Sequence, residues 1–319
     1  MKRLFANQRF ALFAPFIALA AVALIAFGLW VVVAGRIGDE LSARGLSWQN
    51  LTREGFPARI SLHIEKPIWR DPEAATNMVW QNSGLSLTVM PFKGGHAIID
   101  FLGAHDITGD AGQLRLSHKG NLMSAVVDTD GLNRASFEAS APDIAASWLG
   151  QNINARAADI ALHTRRGAKN RYDIALVTKQ ITLMQDGASL TLSRLDANAS
   201  IPAALLDRRM QAGDVIILTR ATLQRDALSL IAKGRVKLRA NGYMDGTLDL
   251  DIVNLEAFAD ALAEFGLIDR RDRRKLLLFG GLGAALGGDT RDRLSLPLQF
   301  KNKRVYLGGV KLGRAPRWK

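Results

Sequence analysis

From Phe10 to Gly35 the chain carries no charged residue, and Leu12 to Ala34 is almost wholly apolar. Some 20 apolar residues at about 1.5 Å each cross the hydrocarbon core of a bilayer, and this run is longer. Lys2, Arg3 and Arg9 precede it, while Arg36 is soon followed by Asp39 and Glu40. The positive-inside bias therefore predicts a cytoplasmic tail over 1–11, a signal anchor over 12–34, and export of the remainder of the chain. Trp30 falls near the outer interface, where amphipathic rings prefer to sit. Pro15 is tolerable in a membrane helix. The rival is a cleaved signal peptide, for which Val32 and Ala34 are small enough, although its usual apolar stretch is only about 7–15 residues. A buried helix of a soluble protein is the third alternative.

The whole chain is neither disordered nor polytopic, since its hydrophobic fraction of 48% and charged fraction of 23% are ordinary. It has no cysteine. That excludes disulfides, thiolate zinc sites and iron–sulfur clusters, and it fits an oxidising compartment. Residues 35–54 read as a juxtamembrane stalk, in which Ile37 to Arg44 continues as a short polar helix ending at Gly45. Residues 55–319 then form the exported domain.

Within that domain the hydrophobic period becomes two. Residues 58–64, 85–89, 114–116, 160–162, 172–177, 190–192, 215–218, 228–230 and 248–252 alternate apolar with polar, as half-buried strands do. Turn pairs such as Asp186-Gly187, Asn241-Gly242 and Asp245-Gly246 separate them. The expected fold is mainly β (α+β): a large, curved, mostly antiparallel sheet with a few packed helices. One hairpin can be drawn in detail, Lys233 to Ala240 against Gly246 to Val253 across a turn at 241–245. Centred on Tyr243, it sets Lys237 opposite Asp249 and Arg235 opposite Asp251, worth roughly 0.2–1 kcal/mol per pair. The other face collects Val236, Leu238, Leu248 and Leu250, a candidate apolar groove that protein or an apolar ligand must cover.

Helices are few. Pro142 to Leu149 and Pro202 to Arg209 read as short helical connectors. A better helix starts at Asn254, a good N-cap, with Leu255, Phe258, Leu262 and Phe265 or Gly266 as its apolar stripe. Glu256, Asp260 and Glu264 line another face. Next come Arg270, Arg271, Arg273, Arg274 and Lys275, then Leu276 to Phe279, then the glycine-rich run Gly280 to Gly288. That pattern suits an interfacial helix with cations at headgroups, making the five basic residues candidate membrane-surface groups. The preferred reading is a buried helix whose glycines allow close packing on the sheet.

No reaction is legible. His63, His96, His105, His118 and His163 are scattered, none in an i, i+4 metal pair, and there is no G-x-S-x-G or H-E-x-x-H. The glycine run lacks the lysine and hydroxyl of a phosphate loop. No catalytic residue, metal or cofactor is expected. The net charge of +12, about +9 once Lys2, Arg3 and Arg9 are removed, is interleaved with acids and short of stacking aromatics. Nucleic acid is therefore not an expected partner, whereas anionic lipid surfaces or acidic polysaccharide are.

Gly55-Phe56-Pro57 leading into a strand resembles the start of a bacterial envelope family, domain of unknown function 2125. Leu296-Pro297-Leu298-Gln299-Phe300 and the segment Val305 to Pro316 resemble its end. Lys301-Asn302-Lys303 departs from that family's usual Asp-Gly turn, and Arg314 from its usual small residue or proline. The resemblance implies an alphaproteobacterial inner-membrane protein facing the periplasm, with no catalytic residues to carry over. More loosely, L-x-L strands broken by glycines look like the AsmA-like envelope proteins, a likeness that implies phospholipid acyl chains or other envelope proteins as partners. Two functional readings stand side by side: a non-enzymatic lipid-binding, lipid-transfer or scaffolding protein, and a periplasmic hydrolase of envelope material using His105 and nearby acids.

Overall fold

The computed structural model describes residues 2–70, 77–90, 95–110, 112–148, 151–185, 188–206, 211–264, 268–287 and 293–315. Side chains are described from Leu19 onward, except at 148, 151, 185, 188, 206 and 279–287. The chain divides into two units, Met1–Ala111 and Gly112–Lys319. Every described strand pairing is antiparallel, and the chain is mostly β, as its period-two runs require. Eight of the nine runs that alternate in sequence lie within strands, and the other, 58–64, enters β3 at Ile60.

The first unit contains α1 (Lys2–Ala43), β1 (Leu46–Ser47), β2 (Asn50–Glu54), β3 (Ile60–Glu65), β4 (Ile68–Arg70), β5 (Val79–Met90) and β6 (His96–Gly109). Strand β5 is its spine, pairing with β3 and β4 on one edge and with β6 on the other. Ile60, Leu62 and Ile64 of β3 sit opposite Val89, Leu87 and Leu85, so all six share one face. Trp30, Ala34, Ile37 and Leu41 pack on this face, one stripe of α1 at helical spacing. Ala34 is fully buried there, and a side chain at Gly38 would come within 3.3 Å of Leu51. The polar extension of α1 ends as its sequence suggests, with Gly45 at φ 87 and its N–H bonded to the Ser42 carbonyl. The stretch read as a stalk thus holds the end of α1 together with β1 and β2.

Higher up, α1 is bare. Leu19, Val22, Leu24, Ile25 and Leu29 are each more than 60% exposed, unlike the core helix of a soluble protein. Among the described residues, Leu19–Ala43 is the one helix long and apolar enough to cross a membrane.

The second unit runs through β7 (Gly112–Ser117), β8 (Gly120–Asp128), β9 (Gly131–Ser140), β10 (Asp143–Trp148), β11 (Gln151–Arg156), β12 (Asp159–Arg166), β13 (Arg171–Gln185) and β14 (Ala188–Pro202). A 3₁₀ turn, Ala203–Leu206, leads to β15 (Val215–Arg225), β16 (Leu228–Leu238), β17 (Met244–Val253), α2 (Leu255–Glu264), α3 (Arg270–Gly287), β18 (Arg293–Lys301), β19 (Arg304–Leu307) and β20 (Val310–Arg314). From β12 onward each strand pairs with its successor.

A row of breaks crosses this unit. By register, Lys119 lies level with Ala141, Ala158, Gln180 and Ser193 on successive strands. Ala141 and Gln180 take left-handed backbone there, φ 46 and 50. Counted in twos, Leu116, Ile144, Ala155 and Ile181 on one side are one residue out of step with Met123, Phe137, Leu162 and Leu176 on the other. A one-residue slip turns side chains to the opposite face, and the interrupted residues absorb it as bulges do.

Two expectations change. The Lys233–Val253 hairpin forms, but Lys233 faces Asp249, Arg235 faces Thr247 and Lys237 faces Asp245. The cause is Asn241-Gly242. Gly242 adopts φ 78, the Tyr243 N–H bonds to Asn241 Oδ1 at 3.1 Å, and the turn closes between Arg239 and Tyr243. The displacement is even, so each side chain keeps its expected face. Residues 143–148 are strand rather than helix, because pairing on both edges, with β7 and β11, outweighs a helical composition. Residues 203–206 are a connector as expected, while 207–210, Phe265 and Gly266 lie outside the described residues. Asn254 does cap α2, its Oδ1 accepting from the Ala257 N–H at 3.0 Å.

Candidate functional site

The register gives the second unit two unlike faces from β8 to β17. One carries Lys233, Arg235, Asp249 and Asp251, continued by Asp196, Arg220, Asp173, His163 and Ser136. The other carries Leu248, Leu250 and Ile252, then Leu230 and Ala232, Leu223 and Ala221, Leu195 and Ala197, Ile174 and Leu176, Leu162, and finally Phe137 and Met123.

Helices α2 and α3 roof one end of that apolar face. Phe258, Ala259 and Leu276 pack on Leu228, Ala232, Leu250 and Ile252, with partly buried residues of β15 around them. Of the four candidate groove residues, Leu250 lies in this core and Leu248 packs against it. Val236 and Leu238 are 8% and 4% exposed. The register thus places all four on one face, and three of them are buried. The core cluster under the helices stops at β15. The face itself continues to β8, where Leu162 is 42% exposed and Met123, Phe137, Ile174 and Leu176 are half-buried.

The basic residues of α3 split. Arg273 faces α2, where Asp260 at 2.6 Å and Glu256 at 3.6 Å hold it and raise its pKa, Asp260 chiefly through its hydrogen bond. Lys275 pairs with Asp272 at 2.9 Å. Arg270, Arg271 and Arg274 are exposed, and Leu278, one turn beyond Arg274, is 62% exposed. Leu276 faces the core. One helix therefore combines a buried side with an outward basic-and-leucine side.

His105 is 5% exposed; Trp80 Nε1 donates to its Nδ1 at 3.1 Å, and Phe101 lies 4.8 Å from its ring. Among the described residues no group of three or more histidines and carboxylates could hold a metal.

Two arrangements escaped the sequence reading. Arg166 joins Asp128 at 3.1 Å and the Leu132 carbonyl at 3.0 Å, the same carbonyl that takes the Tyr172 hydroxyl. Asn133, at 2.9 Å, does most to lower the Asp128 pKa, with the Asp130 N–H and Arg166 adding to it. The Asp-Gly pair at 130–131 marks that turn, but nothing in sequence marks partners 38 residues apart. The second is at the foot of α1. Trp30 Nε1 donates to the Arg59 carbonyl at 2.8 Å, and Phe56 meets Phe27 and Trp30 edge-on at 5.3 and 6.1 Å.

On the polar face the Ser295 hydroxyl donates to Asp251 at 2.5 Å, the largest influence lowering that carboxyl, with Arg293 and Lys233 assisting. A carboxyl lowered by folding stabilises above its unfolded value of 3.8 and loses that contribution as pH falls through the folded value. Asp251→Asn should therefore flatten the decline of the thermal midpoint between about pH 5 and pH 2. An unchanged acid limb in the variant would show that Asp251 titrates alike in both states.

The profile of a family described as "Uncharacterized protein conserved in bacteria (DUF2125)" matches residues 32–316. The chain belongs to that family. No curated protein is similar enough to count as a relative. In this DUF2125 chain Gly55-Phe56-Pro57 is the loop that receives Phe27 and Trp30, and the closing motif forms β18 to β20, burying Leu307, Val310 and Ala315.

Proposed function

We propose that this DUF2125 chain is a single-pass inner-membrane protein with a cytoplasmic N-terminus, whose periplasmic sheet binds or passes phospholipid acyl chains without catalysing a reaction. The observation that carries this reading is the apolar face of the second unit, which runs on past its roof of α2 and α3 to a 42%-exposed Leu162. Few soluble surfaces leave such a face unroofed unless it meets lipid or another protein. An uncleaved anchor agrees with it. Trp30 and Ala34 belong to the core of the first unit, so cleavage near Val32 or Ala34 would remove part of the fold. The outward side of α3, with Arg270, Arg271, Arg274 and Leu278, suits anionic headgroups and the acyl boundary. L-x-L strands of this kind also accord with the AsmA-like proteins.

The test uses the full chain in bacterial membranes. A photo-crosslinking amino acid replaces Leu162 or Phe137 on the apolar face, His163 on the polar face, or Leu278 on α3. Phospholipid adducts at 162, 137 and 278, with few at 163, are the expected result. Protein adducts at 162 and 137 would favour the scaffolding form of the proposal. Lipid adducts as frequent at 163 as at 162 would overturn a selective groove.

A further inference from the structure

A cavity of about 480 Å³ opens where the β16–β17 and β18–β19 hairpin tips meet, away from the apolar face's roof. Its lining includes Arg239, Asn241, Tyr243, Lys301, Asn302 and Lys303. Both tips are tight. The first is closed by Asn241-Gly242, and the second is a two-residue turn with Asn302 and Lys303 at φ 54 and 64. A two-residue turn of this kind needs a positive φ at both central positions, and Lys303 supplies the second of them. The turn sets Lys303 Nζ 5.5 Å from the centre of the Tyr243 ring, so that the ammonium is held over the cavity. Asp245, also in the lining, hydrogen-bonds Arg239 and offsets that one cation. Lys301 has no carboxylate partner among the described residues. Three cations against one carboxylate leave a surplus of two positive charges, accompanied by the amides of Asn241 and Asn302.

We infer that this cavity is a binding site for a phosphate group, carried either by a lipid headgroup or by a soluble phosphate ester. A phosphomonoester brings a charge of about −1.5 to −2 and three acceptor oxygens, matching two lysine point charges and neighbouring amide donors. The volume falls within the range of about 300–1,000 Å³ usual for ligand clefts. A simple carboxylate would leave one cation unneutralised.

The experiment takes the full chain in an uncharged maltoside detergent and follows glycerol 3-phosphate by ³¹P line broadening, with glycerol in competition as the uncharged control. Saturable broadening is expected, insensitive to glycerol and weakened about tenfold in Lys301→Gln/Lys303→Gln, a loss of about 1.4 kcal/mol. Both lysines are exposed tip residues, and an unchanged thermal midpoint shows that the variant is folded. A second arm uses dihexanoylphosphatidic acid, a lipid phosphomonoester with the same phosphate charge as glycerol 3-phosphate, below its micelle concentration. Tighter binding than glycerol 3-phosphate assigns the site to a lipid headgroup, and equal or weaker binding assigns it to a soluble ester. No saturable broadening of either probe, or binding by the folded double variant within twofold of the parent chain, overturns the inference.

Discussion

Ala34→Glu should destabilise the first unit by roughly 3–5 kcal/mol, the scale of leaving one charge buried without its partner. Ala34 is fully buried where α1 crosses the β3–β5 face, walled by aliphatic and aromatic side chains. A carboxylate there is taken out of water into an apolar cluster, and a protonated one is still a polar group larger than the alanine it replaces. Gly35→Ala is the control, because an added methyl at that neighbouring position meets nothing within 4 Å. The readout is limited proteolysis of the full chain in uncharged detergent, following cleavage after Lys66 and Arg70. Equal protection of both variants would mean that α1 does not depend on this contact.

Gly246→Ala should cost the second unit about 3 kcal/mol, combining overpacking with a backbone conformation that alanine resists. Gly246 has φ 146, and a Cβ there would lie 2.3 Å from the Arg235 carbonyl and 2.9 Å from Val236 Cα. Gly234, across the same pair of strands, is in the mirror situation against Thr247 and Leu248. Neither clash is with a flexible side chain, so the strands themselves must separate, loosening Leu248 and Leu250 beneath α2 and α3. Gly120→Ala, with open space around it, should change stability by only a few tenths of a kcal/mol. Equal thermal midpoints for Gly246→Ala and Gly120→Ala would refute the close approach.

These glycines also mark what the sequence discloses and what it withholds. Alternation found strands and assigned faces correctly, because burial on one side imposes a period of two whatever the neighbours are. The register of the Lys233–Val253 hairpin was not legible from charge pairing: displacing it by an even number leaves like faces together, and only the turn at Asn241-Gly242 decides. Asp143 to Trp148 misled because its alanines favour helix locally, while its partners Leu116 and Ala155 are distant in sequence. The cover over Leu250 is likewise non-local, supplied by Phe258 and Leu276 from later helices. The basic residues before Leu276 were legible as an amphipathic helix. Which arginine turns inward depended on Asp260, thirteen residues earlier. The phosphate cavity has no sequence signature, since it exists only where two hairpin tips converge.

The seating of Trp30, Ala34, Ile37 and Leu41 on the first unit bears on how that unit meets a bilayer. A flexible linker lets a domain swivel and sample many heights above the surface. A helix that runs without interruption from the span into the sheet removes that freedom, and the bond from Trp30 to Arg59 pins its rotation as well. In a bilayer, tilting the span tilts the first unit with it. Phe56, still 38% exposed beside Phe27, is then carried at a fixed depth near the headgroups. On the proposed single-pass anchoring, the first unit is mounted on the membrane rather than moored to it, and changes in bilayer thickness reach its sheet as a change of angle.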